Sequence, residues 1–350
     1  MAGLFESLRV GALDLPNRVI MAPMTRSRAE GDGTVPQMVA DYYAQRADCG
    51  LIISEAIYVS PMAKGYLRTP GLADASHVAA WRRVTDAVRA KNGRMFAQLF
   101  HTGRVAMPDF LPGGAQPVAP SAIAINGKTW TESGQKEHVV PRALEENEIP
   151  AVAEEFAAAA RRAIEAGFDG VEIHAASGYL IHQFLDASIN KRTDSFGGSV
   201  ENRARFLLLV ADRVAAAVGA ARVGLKVSPR IKFNDVQDPD AEVVYPYVAE
   251  QLSTRGLAYL HGAQQGGYDT HAALRPRFKG LYFAGAGFDR ASGEAMLAAG
   301  GADAIVYGTP YIANPDLVGR FRSGAAMAQA DKATIYSGGA KGYVDYPFAS

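Results

Sequence analysis

Cysteine is almost absent from the 350-residue sequence, and this scarcity restricts the possible protein classes. Cys49 is the single cysteine, so no disulfide can form within the chain and no cysteine-based metal site can be built. Such cysteine usage is typical of proteins in a reducing compartment. We therefore expect a cytoplasmic protein without a metal centre.

The sequence also lacks an excess of charge and any long apolar run. Lys plus Arg and Asp plus Glu both number 36, so the net charge is zero. Nucleic acids and anionic membranes attract proteins with an excess of basic residues, so we expect neither as a partner. The longest apolar runs, such as Phe206–Val210 and Val214–Val218, are too short to span a bilayer. The first residues lack the pattern of a signal peptide.

Short β-rich runs alternate with helical segments along the whole chain. Most of these runs are continuously apolar, as expected for strands that are buried on both faces. The predicted strands are Val19–Ala22, Leu51–Glu55, Met95–Leu99, Gly170–His174, Val223–Val227, Tyr259–Leu260, Leu281–Phe283 and Ala304–Tyr307.

This alternation predicts one α/β domain, over residues 1–350, with a parallel sheet. Eight units favour a (β/α)8 TIM barrel. An open, doubly wound sheet is the alternative, although no Gly-x-Gly-x-x-Gly follows the first strand. Leu4–Leu15 is predicted to form an N-terminal hairpin cap at the bottom of the barrel. Met107–Ala143 is rich in Gly, Pro and polar residues and predicts a long loop after strand 3, near the mouth.

Residues just past the strands are the candidates for function, because the βα loops of such a barrel build its active face. His174 closes the fourth strand and Tyr179 follows on the emerging turn. A neutral imidazole can donate a hydrogen bond to a carbonyl oxygen, and a phenol can supply a proton. Lys226, in the fifth strand, is a costly cation unless it meets an anion. The small residues in 284–288 and 308–309 permit close approach of a phosphate, or simply make tight turns.

Several ordered motifs resemble the old yellow enzyme family, in particular its bacterial N-ethylmaleimide and pentaerythritol tetranitrate reductases. The resemblance covers nearly the whole chain, and so many matches in order make chance an unsatisfactory explanation. The most specific stretches are Pro23–Arg26, Asp41–Arg46, Gln98–Arg104, Gly178–Asn202 and Tyr311–Leu317.

The resemblance implies FMN at the barrel mouth and an ene-reductase reaction. In that family NAD(P)H reduces FMN, which passes a hydride to the β-carbon of an α,β-unsaturated carbonyl or nitro compound. The partner is thus a small-molecule substrate, and the chain is expected to be a monomer or small homo-oligomer. The resemblance assigns flavin contacts to Pro23, Met24, Thr25, Ala56, Gln98 and Lys226, and phosphate contacts to Gly285, Ala286, Gly287, Gly308 and Thr309.

The resemblance also assigns the substrate side of the pocket. His174 and Ser177 match the pair that binds the carbonyl or nitro oxygen, and Tyr179 matches the tyrosine that protonates the α-carbon. Tyr66 and Tyr343 match aromatic residues that line the substrate pocket.

The departures from the family pattern fall on this chemistry. Ser177 stands where the family has Asn or His, and Ala286 where it has Gly. Lys226 and Thr309 stand in place of the two flavin-binding arginines, and Phe100 in place of a Trp. An intact scaffold with an altered pocket indicates a site that has been repurposed or weakened.

Three hypotheses follow from this conflict. The first is an FMN-dependent ene-reductase with altered substrate preference. The second is a barrel that has lost FMN, or holds it loosely, and catalyses isomerisation, cyclisation or Michael-type addition with Tyr179 as the acid. The third is a binding or scaffold protein without catalysis.

Overall fold

The computed structural model describes residues 2–349 and contains a closed barrel of eight parallel strands. Each strand pairs with the next one along the chain, and the last closes on the first, with Ile305 opposite Val19. The predicted (β/α)8 barrel is therefore confirmed. The barrel strands are β1 Val19–Met21, β2 Leu51–Tyr58, β3 Met95–Phe100, β4 Gly170–His174, β5 Val223–Val227, β6 Tyr259–Ala263, β7 Tyr282–Gly285 and β8 Ala304–Tyr307.

Helices surround the barrel and cover its outer face. In α3 the buried side chains, among them Val152, Phe156 and Ala160, form the apolar stripe that the sequence predicts. Across residues 2–349, no helix combines the length and apolarity needed to cross a membrane. The helices are α1 Gln37–Ala44, α2 Ala75–Arg89, α3 Ile149–Glu165, α4 Leu180–Leu185, α5 Val200–Val218, α6 Ala241–Ser253, α7 Thr270–Leu274, α8 Arg290–Ala298, α9 Thr309–Ala313 and α10 Leu317–Ser323.

An antiparallel hairpin of Leu8–Val10 and Leu13–Leu15 precedes β1. Its buried residues Leu8, Val10 and Leu15 share a hydrophobic cluster with residues of the barrel strands, including Ile20 and Phe96. The hairpin thus packs near the ends at which those strands begin.

The long segment between β3 and α3 contains two further small sheets. One is a parallel pair, Val118–Ala119 with Arg142–Ala143, and the other an antiparallel hairpin of Lys128–Thr131 and Gly134–Glu137. Arg104 is buried where this segment starts, and its guanidinium donates to the backbone oxygens of Ile123 (3.3 Å) and Asn234 (3.0 Å). This arginine joins the segment to the loop that follows β5.

Four strands extend beyond the predicted bounds: β2 continues to Tyr58, β3 to Phe100, β6 to Ala263 and β7 to Gly285. β6 continues to Ala263 although Gly262 interrupts the apolar pattern. Glycine is needed at this position of the strand because a side chain there would collide with the hydroxyl of Tyr282 on β7. β7 ends at Gly285, where glycine is needed for a similar reason: a Cβ there would lie 2.6 Å from Nε2 of His261. In both cases close packing between neighbouring strands requires glycine.

Candidate active site

A cavity of about 1310 Å³ opens where the barrel strands end. Ligand pockets usually measure roughly 300–1,000 Å³, so there is room for a cofactor and a substrate together. The loop after every barrel strand contributes to the wall. The predicted residues that line it are Pro23, Met24, Thr25, Tyr66, Ser177, Tyr179, Lys226, Ala286, Gly287, Gly308 and Thr309.

The other predicted site residues lie outside the cavity lining. Ala56 and Gln98 face each other across β2 and β3, beyond a bulge in the pairing, and both are buried. His174 is buried at the end of β4. Gly285 ends β7 and Tyr343 is in the C-terminal segment, and both are buried.

Tyr343 packs in an aromatic cluster and not on the cavity surface. Its ring stacks on Tyr42 at a centroid distance of 4.1 Å, with the planes nearly parallel. The guanidinium groups of Arg26 and Arg28 lie 5.2 and 4.9 Å from the same ring. These cation–π and stacking contacts fix the C-terminal segment against the loop after β1.

A buried polar network forms inside the barrel beneath the cavity. Glu172 on β4 accepts a hydrogen bond from Nε2 of Gln98 (2.7 Å), and Nδ1 of His261 lies 3.0 Å from its other oxygen. Burial alone would raise the pKa of Glu172, but His261, Lys226 and Gln98 together hold it below the usual range. The carboxylate is therefore ionised, and the Nδ1–H of His261 donates to it.

Lys226 on β5 lines the cavity next to this carboxylate. Burial lowers the pKa of its ammonium group, and the Glu172 carboxylate acts in the opposite direction. A cation with a buried counter-ion on one side and the cavity on the other suits the acceptor-rich pyrimidine edge of a flavin.

The loops after β7 and β8 form the end of the cavity assigned to a phosphate. Ala286 has a φ of +73° and Gly287 a φ of +83°, so both adopt the left-handed conformation that glycine favours. Within residues 2–349 these two loops add no Lys or Arg to the lining; Thr309 and backbone N–H groups are the available donors. The residues present fit FMN, whose phosphate these neutral donors would hold.

Tyr179 caps the start of α4 and is 7% exposed. Its ring meets the His174 imidazole edge-on, with centroids 4.8 Å apart, and the Phe100 ring at 5.3 Å. Burial, with Lys226 nearby, holds the pKa of His174 well below its usual value, so the imidazole is neutral at pH 7. Nδ1 of His174 is buried without a hydrogen-bond partner among the described residues.

The turn between β4 and α4 is held by side chains on both of its edges. Ser177 and Gly178 have φ values of +59° and +72°. The N–H of Ser177 donates to Oγ of Ser228 (2.9 Å), and its carbonyl accepts from Nδ2 of Asn234 (2.8 Å). This bonding fixes the direction in which the chain enters α4 at Tyr179.

The hydroxyl of Tyr179 donates to the hydroxyl oxygen of Tyr66 at 3.3 Å. Burial raises the pKa of Tyr179 well above its usual value, and Tyr66 raises it further. Burial also raises the pKa of Tyr66, but hydrogen bonds from Tyr179 and Asn234 oppose this increase. Both phenols are therefore protonated at neutral pH and able to act as acids.

Glu172, His261 and Asn234 are parts of this site that the sequence analysis did not identify. A signal existed for Glu172, because a carboxylate within an otherwise apolar strand requires a partner. Asn234 had no comparable signal, since its position depends on how the loop after β5 folds against the β4–α4 turn.

Comparison with known proteins gives a consistent result. Residues 3–327 match the family model described as NADH:flavin oxidoreductase / NADH oxidase family. The chain is 41% identical over 355 residues to a probable flavin mononucleotide-dependent alkene reductase of Leishmania infantum, covering 99% of this chain and 97% of the relative. It is 42% identical over 357 residues to 12-oxophytodienoate reductase 1 of Oryza sativa subsp. japonica, covering 99% and 93%.

Solved structures agree in fold over the full length. Morphinone reductase in complex with tetrahydroNAD superposes with a TM-score of 0.96 at 46% identity, covering 100% of this chain and 98% of that one. The old yellow enzyme homologue from Zymomonas mobilis gives a TM-score of 0.96 at 40% identity, covering 99% of both chains. The chain therefore belongs to the NADH:flavin oxidoreductase / NADH oxidase family, in agreement with its resemblance to the old yellow enzymes.

Proposed function

We propose that this protein is an FMN-dependent ene-reductase that uses NAD(P)H to reduce the activated C=C bond of α,β-unsaturated carbonyl or nitro compounds. The relatives named alkene reductase and 12-oxophytodienoate reductase support this activity. The observation that carries the proposal is one cavity with Lys226 at the cofactor side and the Tyr66–Tyr179 pair at the substrate side.

The cofactor side of the cavity would be formed by the loop after β1 and by Lys226. When bound, FMN supplies the hydride chemistry, taking a hydride from NAD(P)H and giving it to the alkene. Pro23, Met24 and Thr25 offer backbone groups and a hydroxyl at the wall, and Lys226 offers a cation. Gln98 does not line the cavity, but its amide donates a hydrogen bond to Glu172. The Glu172 carboxylate in turn stabilises the charge of Lys226.

The substrate side would bind the oxygen of the activating group and protonate the alkene. The neutral His174 imidazole can donate one hydrogen bond, and the Ser177 hydroxyl can donate a second. Donors aimed at this oxygen stabilise the negative charge that develops on it as hydride arrives at the β-carbon. Tyr179 then transfers its hydroxyl proton to the α-carbon.

The amino-acid composition supports further proposals about the partner and the location of the protein. Zero net charge favours a small-molecule partner over nucleic acid. The single buried cysteine suits a cytoplasmic protein. We also propose that residues 1–350 form one domain and that the protein is a monomer or small homo-oligomer.

The two halves of the reaction test this function when followed separately under anaerobic conditions. NADPH should bleach the flavin absorbance of the FMN-loaded protein, and 2-cyclohexen-1-one should restore it and yield cyclohexanone. In Tyr179→Phe the bleaching should be unchanged, while restoration slows by roughly 10²-fold or more, the usual contribution of a general acid. No bleaching with NADPH or NADH, or no saturated ketone, would disprove the proposal.

A further inference from the structure

We infer that Tyr66 and Asn234 extend the acid Tyr179 into a proton relay, in which Tyr66 carries the negative charge after proton transfer and Asn234 stabilises it. This inference rests on the proposed function, in which Tyr179 protonates the substrate. It assigns a role to Asn234, which lines the cavity from the loop after β5.

Asn234 bridges the two elements that present the tyrosines. Its Nδ2 donates to the carbonyl of Ser177 at 2.8 Å and lies 3.5 Å from the hydroxyl oxygen of Tyr66. An amide nitrogen has two hydrogens, so both contacts can form at once. The contact with Ser177 fixes the turn before Tyr179, and the contact with Tyr66 reaches the phenol to which Tyr179 donates.

Asn234 is itself held firmly in this position. Its φ is +53°, a left-handed conformation that asparagine tolerates better than most residues. Its backbone oxygen accepts from the buried Arg104 guanidinium at 3.0 Å. Its Cβ also packs on Gly178, where an added Cβ would approach to 2.8 Å. The amide is therefore preorganised and does not need to be recruited during the reaction.

The hydrogen bonds make a phenolate more stable on Tyr66 than on Tyr179. The oxygen of Tyr66 accepts from the hydroxyl of Tyr179 and from Nδ2 of Asn234, so both of its acceptor positions face donors. The proton of Tyr66 is then the one left to point elsewhere. A phenolate is stabilised by donors to its oxygen, so negative charge is better placed on Tyr66 than on Tyr179.

The proton movements balance as follows. Tyr179 gives its hydroxyl proton to the α-carbon and so no longer donates to Tyr66. The Tyr66 hydroxyl then rotates towards Tyr179 and passes its own proton to the Tyr179 oxygen. The restored Tyr179 hydroxyl and the Asn234 amide then donate to the Tyr66 phenolate, as both do in the resting structure. Tyr66 is only partly buried, whereas Tyr179 is 7% exposed, so water can return the proton through Tyr66.

Tyr336 and His174 are further titratable groups near the pair. Tyr336, in the C-terminal segment, is 68% exposed and raises the pKa of both phenols. The His174 ring lies against Tyr179 but is neutral. Neither group donates to the Tyr66 oxygen, so the asymmetry of the pair depends on Asn234.

The relay is tested with Tyr66→Phe and Asn234→Asp in the FMN-loaded protein. Aspartate matches asparagine in shape but has no proton to donate at neutral pH. Gln237→Ala is the matched control, because Gln237 is an exposed residue of the same loop that does not line the cavity. Bleaching by NADPH and restoration by 2-cyclohexen-1-one are measured separately, in H2O and D2O, from pH 7 to about 12, because the pKa of each phenol lies above its usual value of about 10.

We expect restoration to be slowed about ten- to a hundredfold in Tyr66→Phe and Asn234→Asp, and to be slowed much more than bleaching, whereas Gln237→Ala should behave like the wild-type protein in both half-reactions. The alkaline limb of the restoration rate should move to higher pH in Asn234→Asp, because losing a donor raises the pKa of Tyr66. The solvent isotope effect should also increase. A merely structural role would not produce these two changes.

Unchanged restoration rates and pH profiles in both variants would overturn the relay, and so would equal slowing of both half-reactions. Tyr66→Phe removes only a hydroxyl, so it remains decisive if Asn234→Asp is unstable. Failure of the wild-type protein to be bleached, or to be restored by the enone, would instead disprove the proposed function.

Discussion

His182 on α4 and Asp238 in the loop after β5 form a fully buried pair, with Nε2 of the imidazole 3.0 Å from Oδ2 of the carboxylate. The N–H of Gly178 donates to Nδ1 of the same ring at 3.1 Å, so Nδ1 is an acceptor and Nε2 carries the proton. The hydroxyl of Tyr245 also donates to Asp238, at 3.0 Å. The pair thus joins the loop that contains Asn234 to the turn that presents Tyr179.

Replacing His182 should destabilise the protein strongly. His182→Leu leaves the Asp238 carboxylate buried without its imidazole donor, and breaking a buried pair in this way costs about 3–5 kcal/mol. Adding Asp238→Asn removes the uncompensated charge, so the double variant should lose less than the sum of the single losses. Urea unfolding of the four proteins measures this coupling, and strictly additive losses would contradict it.

Ala286 is expected to be a strained residue at the cavity wall. Its φ of +73° costs a non-glycine residue about 1–2 kcal/mol. Glycine avoids this cost, but its more flexible unfolded chain reduces the free energy of unfolding by about 0.5–1 kcal/mol. Ala286→Gly should therefore raise the free energy of unfolding by up to about 1 kcal/mol. Ala284→Gly, in β7, is the control and should lower it. Equal losses in both variants would show that Ala286 is unstrained.

Thr309 is expected to limit the affinity for FMN. A charge-assisted hydrogen bond contributes about 1.5–3 kcal/mol, so Thr309→Arg should tighten binding about ten- to a hundredfold. Lys226→Arg should add a planar donor at the other end of the cavity. Thr254→Arg, at the exposed end of α6, adds the same charge away from the site. Fluorescence titration of flavin-stripped protein with FMN measures these affinities; equal values for Thr309→Arg and Thr254→Arg would refute the assignment.

His101 should make the protein sensitive to acid. Burial lowers the pKa of His101 to about 3, and its Nδ1 accepts from the N–H of Gly103. In the unfolded chain the His101 imidazole takes up a proton near pH 6.5, whereas in the folded protein it stays neutral down to about pH 3. The free energy of unfolding therefore falls as the pH drops from about 6.5 towards 3. By pH 4 this loss reaches about 3 kcal/mol.

His101→Asn keeps an acceptor near the Gly103 N–H and removes the titration. Its free energy of unfolding should therefore depend less on pH between 6.5 and 4 than that of the wild-type protein. Urea unfolding at a series of pH values provides the measurement. Parallel curves for the two proteins would mean that His101 does not contribute to acid sensitivity.

The barrel was predictable from sequence because strands buried on both faces leave continuous apolar runs, such as Val19–Ala22. The ends of the strands were harder, since Gly262 and Gly285 resemble loop residues until their packing against Tyr282 and His261 is known. The contact between Asn234 and Ser177 joins loops 57 positions apart in the chain, and no local pattern signals it.

Tyr343 illustrates a different limit. Its position in the sequence motif indicated a pocket residue, but its ring is enclosed between Tyr42 and two arginines. Those partners come from α1 and the loop after β1. Their convergence on one aromatic ring is a consequence of tertiary packing that spacing alone does not encode.

The most decisive measurement is the visible absorbance spectrum of the freshly purified protein, before and after FMN is added and the excess removed. A flavin that occupies the barrel mouth should give bands near those of free FMN, at one flavin per chain, and these bands should disappear when NADPH is added without oxygen. A colourless protein that retains no FMN would contradict the redox function and favour non-redox chemistry at Tyr179.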